Sequence, residues 1–299
     1  MKHKREWSGK SRGGKTGYEI FVFLLRHFGL KPAYFLLYFV AFYFFITSWK
    51  TNKYIFSYFR KYNYSWFKRL SLTYRNYYIF GQIIIDKVAS MAGFKAKFTF
   101  SFEGEEYLNQ MTTEKSGGIM MSAHIGNWEI AGHYFDRLEK PVNVVMLDAE
   151  YAQIKEYLNS LGSRQKANII PIKDDLSHLL LILEALNRKE IVCLHADRVL
   201  QKSPRNLKLK FLGKEAEFPY SIFKLIVSLQ VPVSFVFAFK ETSSHYHFYA
   251  TPAKLYTDTD REVAITKLAS DYVNEVEQKI KSYPIQWFNY YDFWQELAQ

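Results

Sequence analysis

The sequence predicts an α/β fold: a largely parallel, mixed sheet flanked by helices, preceded by an aromatic helical region. Two observations predict the sheet. From about Lys97 onward, short apolar runs at 118–123, 142–147, 168–172, 190–195 and 231–239 trade places with helical segments near 126–138, 150–161, 174–188 and 218–229. Alternation of this kind builds parallel strands with helices on their faces. The runs are also too short and too uniformly apolar to be amphipathic helices, as expected of strands buried on both faces. A third observation sets the N-terminal region apart. Residues 1–100 hold 18 Lys or Arg against 3 acidic residues, and 29 of the 55 aromatic residues.

Residues 1–17 are polar, basic and Gly-rich and read as a flexible tail. Residues 18–96 read as aromatic helices, with breaks expected at 29–32 and around Asn63. Within them, Ala33 to Trp49 is a run of 17 residues without a charge. As a helix it is about 25 Å long, against a hydrocarbon core of about 30 Å. Basic residues flank it on both sides: Arg26 and Lys31 before, Lys50, Lys53, Arg60 and Lys61 after. A surface both basic and apolar suits anionic lipid headgroups, so this region is expected to be membrane-associated, crossing the bilayer or lying in its interface. Nucleic acid is not expected as a partner, because single-strand binding uses basic and aromatic residues but has no use for an unbroken apolar run. No small-residue cleavage site follows the run, which argues against a secretory signal. Cys193 is the only cysteine, so no intrachain disulfide can form.

Residues 97–299 form the expected α/β domain. Phe98 to Phe102 alternates as a strand, Ser244 to Tyr256 reads as an edge strand, and Asp260 to Lys281 reads as a long amphipathic helix. Chemistry concentrates at His124-Ile-Gly-Asn-Trp-Glu129, directly after the apolar run 118–123. In a continuous helix two positions five apart point roughly 140° away from each other, so His124 and Glu129 can meet only across a turn. With His124 at the strand end and Glu129 in the first helical turn, the carboxylate can accept one imidazole N–H and leave the other nitrogen as a base. The same letters also describe a loop histidine and a first-turn glutamate favoured by the helix dipole. Leu194-His-Ala-Asp197-Arg198 follows the apolar run 191–194, at the strand end where open α/β sheets keep their ligands. Asp197 and Arg198 there can bind an acceptor or an oxyanion, or brace the loop as a structural pair. His124, His195 and Asp197 lack close ligand spacing, and no metal is expected.

Two motifs compete. Gly9 to Thr16 spells the phosphate-cradling G-x-x-x-x-G-K-[ST] pattern, with Asp86 as a conceivable magnesium ligand. A P-loop must follow a buried strand, whereas residues 1–8 are polar and charged. The rival reading it supports is a nucleotide-binding peripheral membrane protein. Gly9-Lys-Ser11-Arg-Gly13 spells a nucleophile elbow and lacks the same strand.

Read as an H-x4-E site after a strand, the His124 segment resembles the lysophospholipid acyltransferase superfamily, in particular its lipid A late-acyltransferase branch. The likeness extends to the tail from Trp7, to Ala196-Asp-Arg198 and to Phe211-Leu-Gly-Lys-Glu-Ala-Glu-Phe-Pro219, in the same order. The block at 194–198 lacks the superfamily's usual Pro and Gly, and Leu147 to Tyr151 is not its Arg- and Asn-rich loop. The resemblance implies transfer of a fatty acyl group from acyl carrier protein or coenzyme A to a hydroxyl or amine of a lipid or glycolipid, with no further cofactor. It implies His124 as base and Glu129 as its orienting acid. Substrate contacts are expected at Gly126, Asn127, Asp197 and Arg198, with a backbone N–H near Gly126 or Asn127, or the Arg198 guanidinium, as the oxyanion donor. The expected location is the cytoplasmic face of the inner membrane. An acyl-lipid binding protein with an inert dyad is the remaining alternative.

Overall fold

The computed structural model describes residues 15–91, 98–113, 117–131, 138, 140–147, 167–173, 175–199 and 205–294. Four helices come first: α1 (Lys15–Phe28), α2 (Leu30–Thr47), α3 (Trp49–Arg60) and α4 (Trp66–Met91). The breaks fall where the sequence places them, at Gly29 and Asn63, both with positive φ, and additionally at Ser48. Pro32 sits in the first turn of α2, where its missing N–H is not needed. Helix α2 turns Ala33, Tyr34, Leu37 and Ala41 inward. Gly81 of α4 lets Leu37 come close, since a Cβ there would lie 2.4 Å from the Leu37 side chain. The opposite face of α2 exposes Phe35, Tyr38, Phe39, Phe42, Tyr43 and Ile46. Among the described residues α2 is the one helix long and apolar enough to cross a membrane, judged by length and composition.

The α/β part comprises β1 (Thr99–Glu103), α5 (Glu105–Thr113), β2 (Gly118–Ser122), β3 (Val142–Leu147), β4 (Asn168–Ile172), α6 (Ser177–Asn187), β5 (Ile191–His195), β6 (Asn206–Phe211), β7 (Lys214–Pro219), α7 (Tyr220–Leu229), β8 (Val233–Lys240), β9 (His245–Ala250) and α8 (Arg261–Ser282). Seven strands form one sheet in the order β1-β9-β8-β2-β5-β3-β4. Every pairing is parallel except the β8–β9 hairpin. All five residues of the central strand β2 are buried, as its unbroken apolar run requires. One face packs against α7 and α8 through Phe223, Phe235, Leu268 and Tyr272. The other packs Met120, Val144 and Ile191 against Leu108 and Met111 of α5.

The structure departs from expectation in four places. Of the helix expected at 126–138, the described part is a 3₁₀ turn, Trp128–Ala131, and the helix expected at 150–161 lies outside the described residues. The segment 244–256 forms β9 only as far as Ala250, and β9 is not the edge of the sheet, because β1 pairs outside it. The hairpin β6–β7 and helix α5 were not foreseen. The hairpin turns at Leu212 and Gly213, both at positive φ, and its alternating charges disguise the strands.

Candidate active site

The pairing of β2 with β5 sets the geometry. Their parallel register places Ser122 beside His195, and Ala196 continues the ladder by donating its N–H to the Ser122 carbonyl at 3.3 Å. Two residues further, His124 and Asp197 therefore come level at the C-terminal ends of neighbouring strands. Asp197 accepts two hydrogen bonds from His124, one from Nδ1 at 2.7 Å and one from the backbone N–H at 3.0 Å.

Asp197 is buried, which alone would raise its pKa. The facing His124, its hydrogen bond, and the nearby Arg198 and His195 outweigh that and hold the carboxyl well below the usual range. An ionised carboxylate only accepts, so His124 donates through Nδ1, and in the neutral ring Nε2 is the nitrogen left with a lone pair. The His124 side chain is 24% exposed, enough for a reacting group to reach it. His195 packs edge-on to His124 at 4.6 Å and to Trp128 at 5.2 Å. Burial and the neighbouring His124 push its pKa down to about 3, so it adds no second cation beside the site.

The expected contact between His124 and Glu129 is corrected by this geometry. The 3₁₀ turn directs Glu129 toward α4, where its Oε1 accepts from Lys87 Nζ, and the imidazole takes Asp197 instead. A second correction concerns the backbone N–H groups of Gly126 and Asn127, expected as oxyanion donors. Gly126 donates to the Gln286 carbonyl at 2.8 Å and Asn127 to the Ala238 carbonyl at 2.7 Å. Both are committed to fixing the loop.

That fixing is thorough. Residues 284–288 run along the loop, with Ile125 bridged to Trp287 and Phe288 donating to the His124 carbonyl at 3.3 Å. Gln286 in turn grips both backbone groups of Lys240, and Asn76 of α4 donates to the carbonyls of Ile285 and Trp287. Gly126 has φ +62°, and a Cβ there would lie 2.0 Å from the Ala238 carbonyl oxygen. The Asn127 side chain accepts from the Ile130 N–H at 3.3 Å, capping the turn, and donates to the Tyr246 hydroxyl at 3.1 Å. Tyr246 donates to Asp86, which is fully buried and paired with the equally buried Lys240. Tyr34 of α2 also donates to Asp86. Asp86 is thus a structural counter-ion, and the magnesium role weighed for it has no support; residues 9–14 of the phosphate-loop pattern lie outside the described residues. Among the described residues no cluster of three His, Cys, Asp or Glu is arranged to hold a metal.

The family model for bacterial lipid A biosynthesis acyltransferases matches residues 68–295, from the start of α4 to the C-terminal aromatic segment and including every site residue above except Tyr34. The chain belongs to this family. It is an acyltransferase of the type that acts on lipid. A solved structure, the 1-acyl-sn-glycerophosphate (LPA) acyltransferase PlsC from Thermotoga maritima, matches over 84% of this chain and 98% of that one, at 14% identity and a TM-score of 0.37. No curated protein matches the sequence significantly. In this acyltransferase Asp197, Lys87, Asp86, Lys240 and Tyr246 are the site residues whose contacts sequence reasoning missed. The signal for Asp197 was present: two apolar runs, each followed by a segment with one histidine, become level once the strands are paired.

Proposed function

We propose that this acyltransferase moves a fatty acyl group from a thioester of acyl carrier protein or coenzyme A to a hydroxyl or amine of a lipid or glycolipid at the cytoplasmic face of the inner membrane. The observation carrying the mechanism is the 2.7 Å contact between His124 Nδ1 and a buried, ionised Asp197. The acceptor's O–H or N–H gives its proton to His124 Nε2 as the oxygen or nitrogen attacks the thioester carbonyl. Asp197 holds the ring and stabilises the imidazolium. The tetrahedral intermediate collapses with loss of thiolate, which takes up a proton, and the acyl chain stays on the acceptor. Arg198 is the candidate oxyanion partner, since the Gly126 and Asn127 N–H groups are occupied. Glu129 keeps a place beside the site as an anion neutralised by Lys87.

The exposed aromatic face of α2 supports the membrane placement, because it would leave several large apolar side chains in water otherwise. The test uses full-length protein in membranes with lauroyl-CoA or lauroyl-acyl carrier protein and a lipid extract. His124→Ala should abolish formation of acylated lipid, read by mass spectrometry. Retention of most activity refutes the base assignment, and donor binding without any product identifies an acyl-lipid binding protein instead.

A further inference from the structure

Resting on the membrane placement given above, we propose that the outer faces of α3 and of the first half of α4 form a surface for the headgroups of anionic phospholipid, beside an α2 that lies flat in one leaflet and does not cross the bilayer. Helix α2 is fastened to α4 over most of its length. Gly81 of α4 receives Leu37, the Tyr78 hydroxyl donates to the Tyr34 carbonyl at 3.3 Å, and the Tyr74 hydroxyl donates to the Tyr38 carbonyl at 3.1 Å. Further along, the Phe45 ring lies edge-on to that of Tyr74 at 6.0 Å. Helix α4 is itself tied to the catalytic domain through Asn76 and Asp86. A crossing α2 would therefore draw α4 and its exposed Arg75 into hydrocarbon, where a charge is strongly disfavoured. Lying flat, α2 sinks only its outer aromatic face.

Residues 20–85 contain nine Lys or Arg and no Asp or Glu, so the charge beside that face has one sign. On α3 the exposed Trp49, Lys53 and Arg60 recur at helical spacing, and on α4 the exposed Phe67, Lys68, Ser71 and Arg75 do the same. Inward, Ile55, Tyr58, Phe59 and Leu72 enter the core. Phe67, Phe35 and Trp49, at 78%, 71% and 70% exposed, are the barest large apolar side chains among the described residues, one on each of α4, α2 and α3. Cations lie against neighbouring rings: Lys53 Nζ is 6.0 Å from the Trp49 ring, Lys68 Nζ 4.0 Å from Tyr64, and the Arg69 guanidinium 4.4 Å from Phe56. Rings at the acyl-chain boundary with cations at the phosphates match the two zones of an anionic leaflet. The surface is continuous with the apolar face of α2, since the exposed Phe42 packs edge-on to Tyr74 at 6.3 Å and Asn52 of α3 donates to the Phe45 carbonyl. That continuity favours lipid over an acidic protein. The inner face of α3 meets the segment that runs along the His124 loop, where Tyr58 donates to the Pro284 carbonyl at 2.9 Å and packs on Trp287 at 4.7 Å. Headgroup contact through α3 thus holds the loop near the zone where the polar group of a lipid acceptor lies.

The test sediments full-length protein, diluted from detergent, with vesicles of phosphatidylcholine alone or of phosphatidylcholine and phosphatidylglycerol in equal parts. Wild type should bind the anionic vesicles more tightly. The variant Lys53→Gln/Arg60→Gln/Lys68→Gln/Arg75→Gln, checked for folding by circular dichroism, should lose about fivefold in that binding for each cation removed and keep its binding to phosphatidylcholine. Raised salt should erase the same preference in the wild type. Equal wild-type binding to both vesicles, or a variant that binds anionic vesicles like the wild type, overturns the proposal. A variant with intact vesicle binding that loses transfer from lauroyl-acyl carrier protein but not from lauroyl-CoA also overturns it, and assigns the surface to an acidic protein. For the flat helix, Lys31→Cys and Lys50→Cys bracket α2 in a Cys193→Ala background. In closed membrane vesicles an impermeant maleimide should label the two sites alike, whereas labelling of one and protection of the other until permeabilisation marks a crossing helix. Failure of the membrane placement itself looks different: wild type would sediment with neither kind of vesicle.

Discussion

Replacing Asp197 by asparagine keeps the shape of the side chain and removes what the site needs from it. The carboxylate accepts two N–H groups of one residue, Nδ1 at 2.7 Å and the backbone at 3.0 Å. An amide has a single oxygen. If that oxygen meets the backbone N–H, the amide NH₂ faces Nδ1, which must then accept, and the imidazole is forced into the tautomer with its proton on Nε2. If the amide is flipped, NH₂ opposes a backbone N–H in a buried position, at a cost of about 1–3 kcal/mol. The ring can change tautomer and the backbone cannot, so the first arrangement prevails and the base is lost. Loss of a positioned general base lowers kcat by about 10²- to 10⁴-fold, or roughly 3–5 kcal/mol in the barrier. Glu129→Gln, which leaves the ring and Asp197 untouched, should cost less than about tenfold at neutral pH. Initial rates of lauroyl transfer, normalised to folded protein by circular dichroism, compare the two. A Glu129→Gln loss equal to or larger than that of Asp197→Asn would refute the reasoning and restore Glu129 as the carboxylate that serves the base.

Gly126→Ala should destabilise the fold by about 3 kcal/mol or more, since it combines a positive φ with a Cβ driven into the Ala238 carbonyl; denaturant titration measures it. Lys240→Met leaves Asp86 buried without a cation and should cost about 3–5 kcal/mol, whereas Asp86→Asn/Lys240→Met should recover most of the loss. The depressed pKa of Asp197 means that its contribution is fully present above about pH 4 and is lost as pH falls through the folded value. The stability gap between wild type and Asp197→Asn should therefore be flat at neutral pH and narrow in acid. For His195 the unfolded chain binds a proton that the folded chain refuses between about pH 6.5 and about 3, so stability rises with pH across that window. His195→Gln should flatten the slope in thermal melts.

The parallel sheet was legible because buried strands leave a simple mark: β2, β3, β4, β5 and β8 are apolar runs bounded by charged or turn residues, and each formed within about two residues of its expected position. The breaks at Gly29 and Asn63 were legible for a similar reason, as residues that tolerate positive φ. Hairpin β6–β7 was not, because Lys208, Lys210, Glu215 and Glu217 face solvent or one another across the strands and no apolar run remains. Helix α5 was hidden by its length, nine residues with only a few apolar anchors.

The site divides along the same line. Local spacing identified the segment His124 to Glu129 and the segment Asp197-Arg198, but spacing says nothing of which carboxylate meets which ring. That choice belongs to the sheet: the β2–β5 register brings residue 197 level with residue 124, while the 3₁₀ turn carries Glu129 to the side where α4 waits with Lys87. The contacts that decide it join residues 73 and 42 positions apart, and the Asp86–Lys240 pair behind them spans 154. A buried ion pair of that separation has no sequence pattern, because its partners are selected only by the low dielectric they share after folding. Its effect at the site follows nevertheless. Asp86 is held by Lys240 and Tyr34, the next residue Lys87 pairs with Glu129, and the carboxylate that meets the imidazole is that of Asp197.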